Sequence, residues 1–416
     1  MEQADLREFG RMMNRRFFVQ GLSAAALAAK PVISLAEAIA GKQDPVRVGI
    51  IGPGSRGKEL VRCFLRVPGV KFVAAADVYE PRFTELNQVC GYKVETHNDY
   101  RSLIDRKDLD AIVVASPLSY HSDHVIAALK SGRHVYGEKT MAFTVDETKE
   151  IVKVAESSKQ FYQVGHQYRY APWIRAGVEK VRNGEIGEVT HVFGYWHRNS
   201  DWRRPVPKPS LERLINWRLY NEYSLGLLAE LGSHHIDVAN WIFGEAPRSA
   251  MATGSVAEYH DGRENDDNVQ AILSYSKGRR FVFSSMTNNA KMGDQLWVYG
   301  TKGSLNLTLE DALFYYEPKR AVEVPAAKGT VTQKGVTTGA SYSAGGEMPY
   351  RGPGKKLEIP VAEDPTATAC RAFIDCIRTG KKPVADARVG LGSALGVIVA
   401  NQSLHEKREI EISSAV

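Results

Sequence analysis

From residue 46 onward the chain alternates two hydrophobic rhythms. Short apolar runs, namely Val46–Ile51, residues 71–76 and residues 111–115, give way to stretches where apolar residues recur every three to four positions, as in residues 58–65, His121–Lys130 and Val145–Ser157. Unbroken apolar runs suit strands buried on both faces, and the longer period suits amphipathic helices. The alternation predicts a doubly wound parallel sheet over residues 41–165, with ligands at the strand carboxyl ends. Past residue 166 the rhythm changes. Residues 190–198, 268–276, 280–286 and 295–309 read as strands joined by loops, with a turn at Gly300-Thr301-Lys302-Gly303, and residues 366–379 and 389–405 read as helices. An α+β domain with a largely antiparallel sheet is therefore predicted over 166–416, and the fold class is α/β. Residues 318–357, rich in Gly, Pro, Ser, Thr and Lys, are predicted as an arm without a core of its own.

Residues 1–40 follow a different logic. Arg15-Arg16 precede a short apolar stretch, Lys30-Pro31 interrupt it, and Ala38-Ile39-Ala40 offers a small-residue cleavage site. This resembles a twin-arginine export signal, which predicts a periplasmic or otherwise exported protein that engages the export machinery. The stretch is too short, and too broken by Gln20, Gly21 and Ser23, to span a bilayer core of about 30 Å. Because that route carries folded proteins, it hints at a tightly held cofactor.

Composition narrows the function classes. With 416 residues the chain is long enough for two domains, and 43% hydrophobic with 25% charged residues excludes a disordered chain. A formal charge of +6, from basic residues that are scattered, is too mild to imply nucleic acid. The densest group, Arg203, Arg204 and Lys208, reads as a solvated loop or a substrate-facing edge. Cys63, Cys90, Cys370 and Cys376 show no metal-like spacing and fall in helical segments, so they read as small buried hydrophobes.

The first strand runs into Gly52-Pro53-Gly54-Ser55-Arg56-Gly57 and then a helix. In a strand, G-x-G-x-x-G, helix sequence the glycines allow a tight turn and close approach of backbone to a diphosphate, while the helix start offers N–H groups to it. The second strand ends in Asp77, placed to accept hydrogen bonds from a ribose diol. This favours NAD over NADP, with Arg82 nearby softening the preference. Ser116-Pro117 and Glu138-Lys139 likewise fall at strand ends.

Together with His121, the Gly-Arg-His-Val run before Glu138, and Trp217-Arg218 followed by Glu230, His234 and Asp237, these motifs resemble the glucose-fructose oxidoreductase, inositol dehydrogenase and rhizopine catabolism (Gfo/Idh/MocA) family over most of residues 46–310. One departure is Thr140, where the family usually has proline after Glu-Lys. The resemblance implies NAD at Gly52, Gly54, Ser55, Arg56, Gly57, Asp77, Ser116, Pro117, His121 and Glu138. Trp217 and Arg218 would lie near the nicotinamide or the substrate. A carbohydrate substrate is implied, and a homo-oligomer.

Oxidising a carbinol requires a hydride acceptor and a group that removes the hydroxyl proton. Lys139 is expected to stabilise the developing alkoxide, with His234 as acid/base. In a helical segment Glu230 would sit one turn from His234 and orient it. Tyr168, Arg169, His197 and Arg198 combine flat rings with hydrogen-bonding groups and are expected to bind the sugar. Asp237 reads as a structural partner to a nearby donor. His234, His235 and Asp237 lack a recognised ligand spacing, and no metal is predicted. Two alternatives share the fold: an NAD-assisted glycosidase or lyase passing through a keto-sugar, and a non-catalytic sugar or nucleotide sensor.

Overall fold

The computed structural model describes residues 45–317, 353–359 and 363–412. The twin-arginine segment and most of the 318–357 arm lie outside the described residues. Within the N-terminal half, strands β1 (Val46–Ile51), β2 (Val70–Ala76), β3 (Glu95–His97), β4 (Ala111–Val114), β5 (His134–Gly137) and β6 (Tyr162–Val164) form a sheet in the order β3-β2-β1-β4-β5-β6. Every pairing in it is parallel. The strand order reverses at β1, so a crevice opens between the carboxyl ends of β1 and β4, where a doubly wound sheet takes its ligands. The crossover helices carry their own start signals. Val145–Ser157, for example, opens with a capping box between Thr144 and Glu147, with Asp146 and Glu147 in its first turn.

In the second half, β7 (Val189–His197), β8 (Ser249–Ser255), β9 (Asn268–Ser274), β10 (Arg280–Met286), β11 (Asp294–Gly300), β12 (Gly303–Thr308), β13 (Ala312–Tyr316), β14 (Lys355–Lys356) and β15 (Ile410–Glu411) join in the order β14-β13-β12-β11-β7-β10-β9-β8-β15. Only the β7–β10 pairing is parallel. The predicted strand at 295–309 is the β11–β12 hairpin. Strands β8 and β13 were not predicted; the Ser249–Ser255 run, with Ser, Ala, Thr and Gly, carries little strand propensity, and its pairing with β9 supplies what composition lacks. Buried side chains of helices Pro172–Arg182, Ser233–Phe243 and Ala387–Glu406 join those of the sheet in one apolar core.

The last two helices also reach into the first half. Helix Pro365–Thr379 buries Ala367, Cys370, Phe373 and Ile374 in the same core as Leu60, Phe64 and Phe72. There Phe373 meets Phe64 and Tyr136 edge-on at 6.0 and 5.8 Å. All four cysteines are free, with Cys63, Cys370 and Cys376 buried. Truncating a fully buried phenylalanine removes apolar area and leaves a cavity, so Phe373→Ala is expected to cost about 3–5 kcal/mol. Urea denaturation checks this; a loss well under about 1 kcal/mol would mean that the helix is not docked on the first half.

Candidate active site

The glycine turn is shaped by what a side chain there would strike. Gly52 has φ +82°, and an added Cβ would lie 2.7 Å from the Ser116 backbone nitrogen; at Gly57 it would lie 2.4 Å from the Gly52 carbonyl oxygen. The turn is thus clamped between β4 and the helix Ser55–Leu65. By contrast a Cβ at Gly54 would meet nothing closer than Arg82 at 3.9 Å, and the helix start has no side-chain cap. An open glycine face beside an uncapped helix start fits a diphosphate. From the loop after β7, Arg204 donates to Ser55 Oγ at 2.8 Å. Its backbone is held on both sides by buried Asn216, whose Oδ1 accepts from the Arg204 N–H and whose Nδ2 donates to the Arg204 carbonyl.

Along this crevice lie two cavities. One, of about 560 Å³, is bordered by Asp77, Tyr100, Pro117, Tyr120, Trp217 and Tyr223. The Asp77 carboxylate accepts from the Tyr79 N–H at 2.9 Å and from Arg82 Nη1 at 2.9 and 3.0 Å. The other, of about 530 Å³, brings Ser116, Glu138 and Lys139 from the first half against Trp196, Arg198, Trp217, Arg218, Glu230 and His234 from the second.

Lys139 follows β5 and reaches across to residues Leu228–Gly232, which form a π-helical turn. A π turn shifts the backbone ladder by one residue and often marks a functional site. Here its carbonyls serve the neighbouring segment. Lys139 Nζ donates to the Glu230 carbonyl at 2.7 Å and to the Ala229 carbonyl at 3.2 Å, and the Ala229 carbonyl also accepts from Thr140 Oγ1 at 3.1 Å and Ser233 Oγ at 2.8 Å. Burial pulls the Lys139 pKa below its ordinary value, opposed by the carboxylates of Glu230 and Glu138. The Lys139–Thr140 peptide is cis. His121 places its ring nitrogens 2.7 Å from the Thr140 carbonyl oxygen and 2.9 Å from that of Ser116, tying the end of β4 to the lysine segment.

His234 stands on the same cavity wall at the start of helix Ser233–Phe243. Its ring stacks on Tyr168 at 4.9 Å, and its buried Nδ1 has no hydrogen-bond partner. Burial, reinforced by the positive charge of Lys139, holds its pKa well below the usual 6.5, so the imidazole is neutral at neutral pH.

Two family models match the chain: "Oxidoreductase family, NAD-binding Rossmann fold" over residues 46–166 and "GFO/IDH/MocA C-terminal domain" over residues 174–306. The chain belongs to the Gfo/Idh/MocA family of oxidoreductases. It is 24% identical over 374 residues to the myo-inositol 2-dehydrogenase of Thermotoga maritima, covering 89% of this chain and 100% of that one. Over 204 residues it is 30% identical to a glycosyl hydrolase family 109 protein of Shewanella baltica, covering 46% of this chain and 42% of that one. The solved structure of levoglucosan dehydrogenase in complex with NADH and levoglucosan superposes with a TM-score of 0.69 at 19% identity, covering 89% of this chain and all of that one, a likeness of fold.

NAD is the cofactor of this Gfo/Idh/MocA oxidoreductase. Gly52, Gly54, Ser55 and Gly57 would hold its diphosphate, with Arg204 beside them. Asp77 with Tyr100, Tyr120 and Tyr223 provides an acceptor and flat surfaces for an adenosine. The three tyrosines escaped the sequence reading because they belong to no spaced motif, and Arg204 appeared there only within a basic loop or substrate-facing edge. Pro117 and Trp217 border the cavity.

Several expected roles are corrected. Glu230 does not orient His234: its carboxylate accepts from Arg218 Nε at 2.8 Å and Ser224 Oγ at 2.9 Å, because the π turn carries it off the α-helical line to residue 234. Burial would push the Glu230 pKa up, but Arg218 and Lys139 outweigh it and hold the carboxyl below its ordinary range. His121 sits between the Thr140 and Ser116 carbonyls, and since burial keeps its ring neutral it can donate to only one of them. Arg56 and Glu138 pair with each other at 2.8 Å. Arg169 is no sugar anchor, since it is buried in an ion pair with Asp237 at 2.8 Å; Asp237 is the structural partner expected of it. Tyr168 turns its hydroxyl to Asp294, which also pairs with His235 Nε2 at 2.8 Å. His197 meets Ser284 Oγ at 3.0 Å and is not in the cavity, since strand alternation puts it on the face opposite to Trp196 and Arg198.

Removing one partner from a buried ion pair strands the other charge. Asp237→Ala is therefore expected to lower stability by about 3–5 kcal/mol with NAD affinity per folded molecule unchanged, read by denaturant titration and NADH fluorescence. An altered sugar KM without loss of stability would return Arg169 to the substrate.

Proposed function

We propose that this oxidoreductase acts on a carbinol carbon of a sugar or polyol. The observation that supports it is the fixed ammonium of Lys139 sharing one cavity wall with a neutral imidazole, beside the crevice for the dinucleotide. NAD, when bound, supplies the hydride acceptor. His234 takes the hydroxyl proton and holds it on its ring, for which the neutral form is required. Lys139 donates to the oxygen as negative charge develops, and the π-turn carbonyls fix that ammonium before the reaction begins. Glu230, paired with Arg218, offsets the charge of Lys139 and so helps keep the site poised. The named dehydrogenases of inositol and levoglucosan among its relatives support a carbohydrate substrate.

A second reading, an NAD-assisted glycosidase in which a transient keto-sugar allows elimination of the glycosidic substituent, is favoured by the likeness to the family 109 glycosyl hydrolase. The two separate on one assay. A dehydrogenase accumulates NADH with a free sugar, which is the outcome expected here, whereas the glycosidase releases an aglycone with no net NADH. A sensor that only binds is disfavoured, because the ammonium and imidazole are both kept in the cavity. For cellular location the proposal is export by the twin-arginine route, supported by Arg15-Arg16 and Ala38-Ile39-Ala40 and checked by fractionation of cells expressing the full chain.

Lys139→Met is expected to lower turnover roughly 10²- to 10⁴-fold with little change in NADH affinity. In the wild type the active form of His234 is the neutral one and its pKa is depressed, so oxidation should persist as the pH falls through 6.5. An acid limb at or above 6.5 in kcat/KM would remove His234 as the base.

A further inference from the structure

The charges around the 530 Å³ cavity do not cancel. Arg56 is paired with Glu138 and Glu59, Arg218 with Glu230, and Arg203 with Glu212 and Asp261; the one aspartate on the wall, Asp201, is taken by Arg263. Lys139 gives two of its three N–H donors to backbone carbonyls and lies close to two carboxylates, leaving one donor for the reacting oxygen. Arg204 bonds Ser55 at the glycine turn, where the diphosphate of NAD belongs. That leaves Arg198.

Among the described residues Arg198 has no carboxylate partner, and its buried Nε has no acceptor. It is nonetheless firmly placed. Just past the end of β7, its N–H donates to the Met286 carbonyl at 2.9 Å and its own carbonyl accepts from the Asn289 N–H at 3.0 Å. The guanidinium lies over the Trp202 ring at 5.9 Å, and burial pulls its pKa down, as it does for a cation without a counter-ion. A half-buried guanidinium facing a cavity without a counter-ion is stabilised by an anion, and its planar fork matches a carboxylate.

We propose that the substrate is a carboxylated sugar, such as a uronic acid or its glycoside, whose carboxylate is received by Arg198 while Lys139 and His234 act on a hydroxyl-bearing carbon of the same ring. This rests on the carbohydrate reading above and adds its charge. One free guanidinium matches a single negative charge, which favours a carboxylate over a phosphate dianion.

The test uses the NADH- or NAD-loaded full chain with D-glucuronate, D-galacturonate, their neutral parents D-glucose and D-galactose, and D-glucose 6-phosphate. Binding is read by NADH fluorescence and turnover by NADH formation. The uronates are expected to bind more tightly than their parents by roughly 10- to 100-fold, as a charge-assisted hydrogen bond provides. Arg198→Gln should erase that preference and leave NADH affinity intact. Equal or better binding of the neutral parents, preference for the phosphate, an Arg198→Gln variant that keeps the preference for uronates, or one that loses NADH instead would overturn the proposal. Uronates bound without any NADH formed would leave the charge assignment standing and contradict the dehydrogenase reading, whereas NADH formed from neutral sugars without acid preference would do the reverse.

Discussion

The carbonyl oxygens of Ala229 and Glu230 hold the two halves of the site in register. In the π turn at Leu228–Gly232 these carbonyls accept from Lys139 Nζ, and that of Ala229 also from Thr140 Oγ1 and Ser233 Oγ. Each bond is modest alone, on the order of 1 kcal/mol, or somewhat more where the ammonium is the donor. Their value lies in direction, since they fix an ammonium that would otherwise sample many rotamers. His121 does the same from the other side, joining the lysine segment to the end of β4. A catalytic cation placed in advance avoids reorganising when charge develops on the substrate.

Electrostatics around that cation follow from burial. Bringing Lys139, Glu138, Glu230, Arg56 and Arg218 together is tolerable only because the carboxylates have partners with good geometry, and the result is a wall of paired charges with few free ones. In such a setting a histidine next to an ammonium stays neutral, which suits a base. The same pairing makes the exceptions informative. Arg204 and Arg198 stand apart from it, one at the dinucleotide turn and one in the cavity, and each marks a place where a ligand's negative charge is wanted.

How much of this was legible in the sequence depended on whether a feature was local. The parallel sheet, the Gly52–Gly57 turn and the strand-end positions of Asp77 and Lys139 follow from periodicity and short motifs, and all stand in the structure. The antiparallel sheet was legible in outline, but β8 and β13 were not, because their strand character comes from neighbours. Among the site residues, Lys139, Arg198 and His234 reach the cavity. The roles given to Arg169 and Tyr168 failed because each depends on which partner a side chain meets across the fold, that of Glu230 because its turn is π, and that of His197 because strand alternation turns it away from the cavity. An i, i+4 spacing looks the same whether the turn is α or π, and an arginine beside a tyrosine does not reveal an aspartate 68 positions away. Arg204 was visible only as part of a basic cluster; its contact with Ser55 spans 149 positions.

The most direct measurement is a crystal structure of the protein with NADH and a bound substrate or inhibitor sugar. The sugar oxygen on the carbon facing the nicotinamide is expected within hydrogen-bond reach of both Lys139 Nζ and the His234 ring, with the π-turn carbonyls still holding the lysine. A nicotinamide lodged away from these two groups, or a lysine released from Ala229 and Glu230 in the complex, would contradict it.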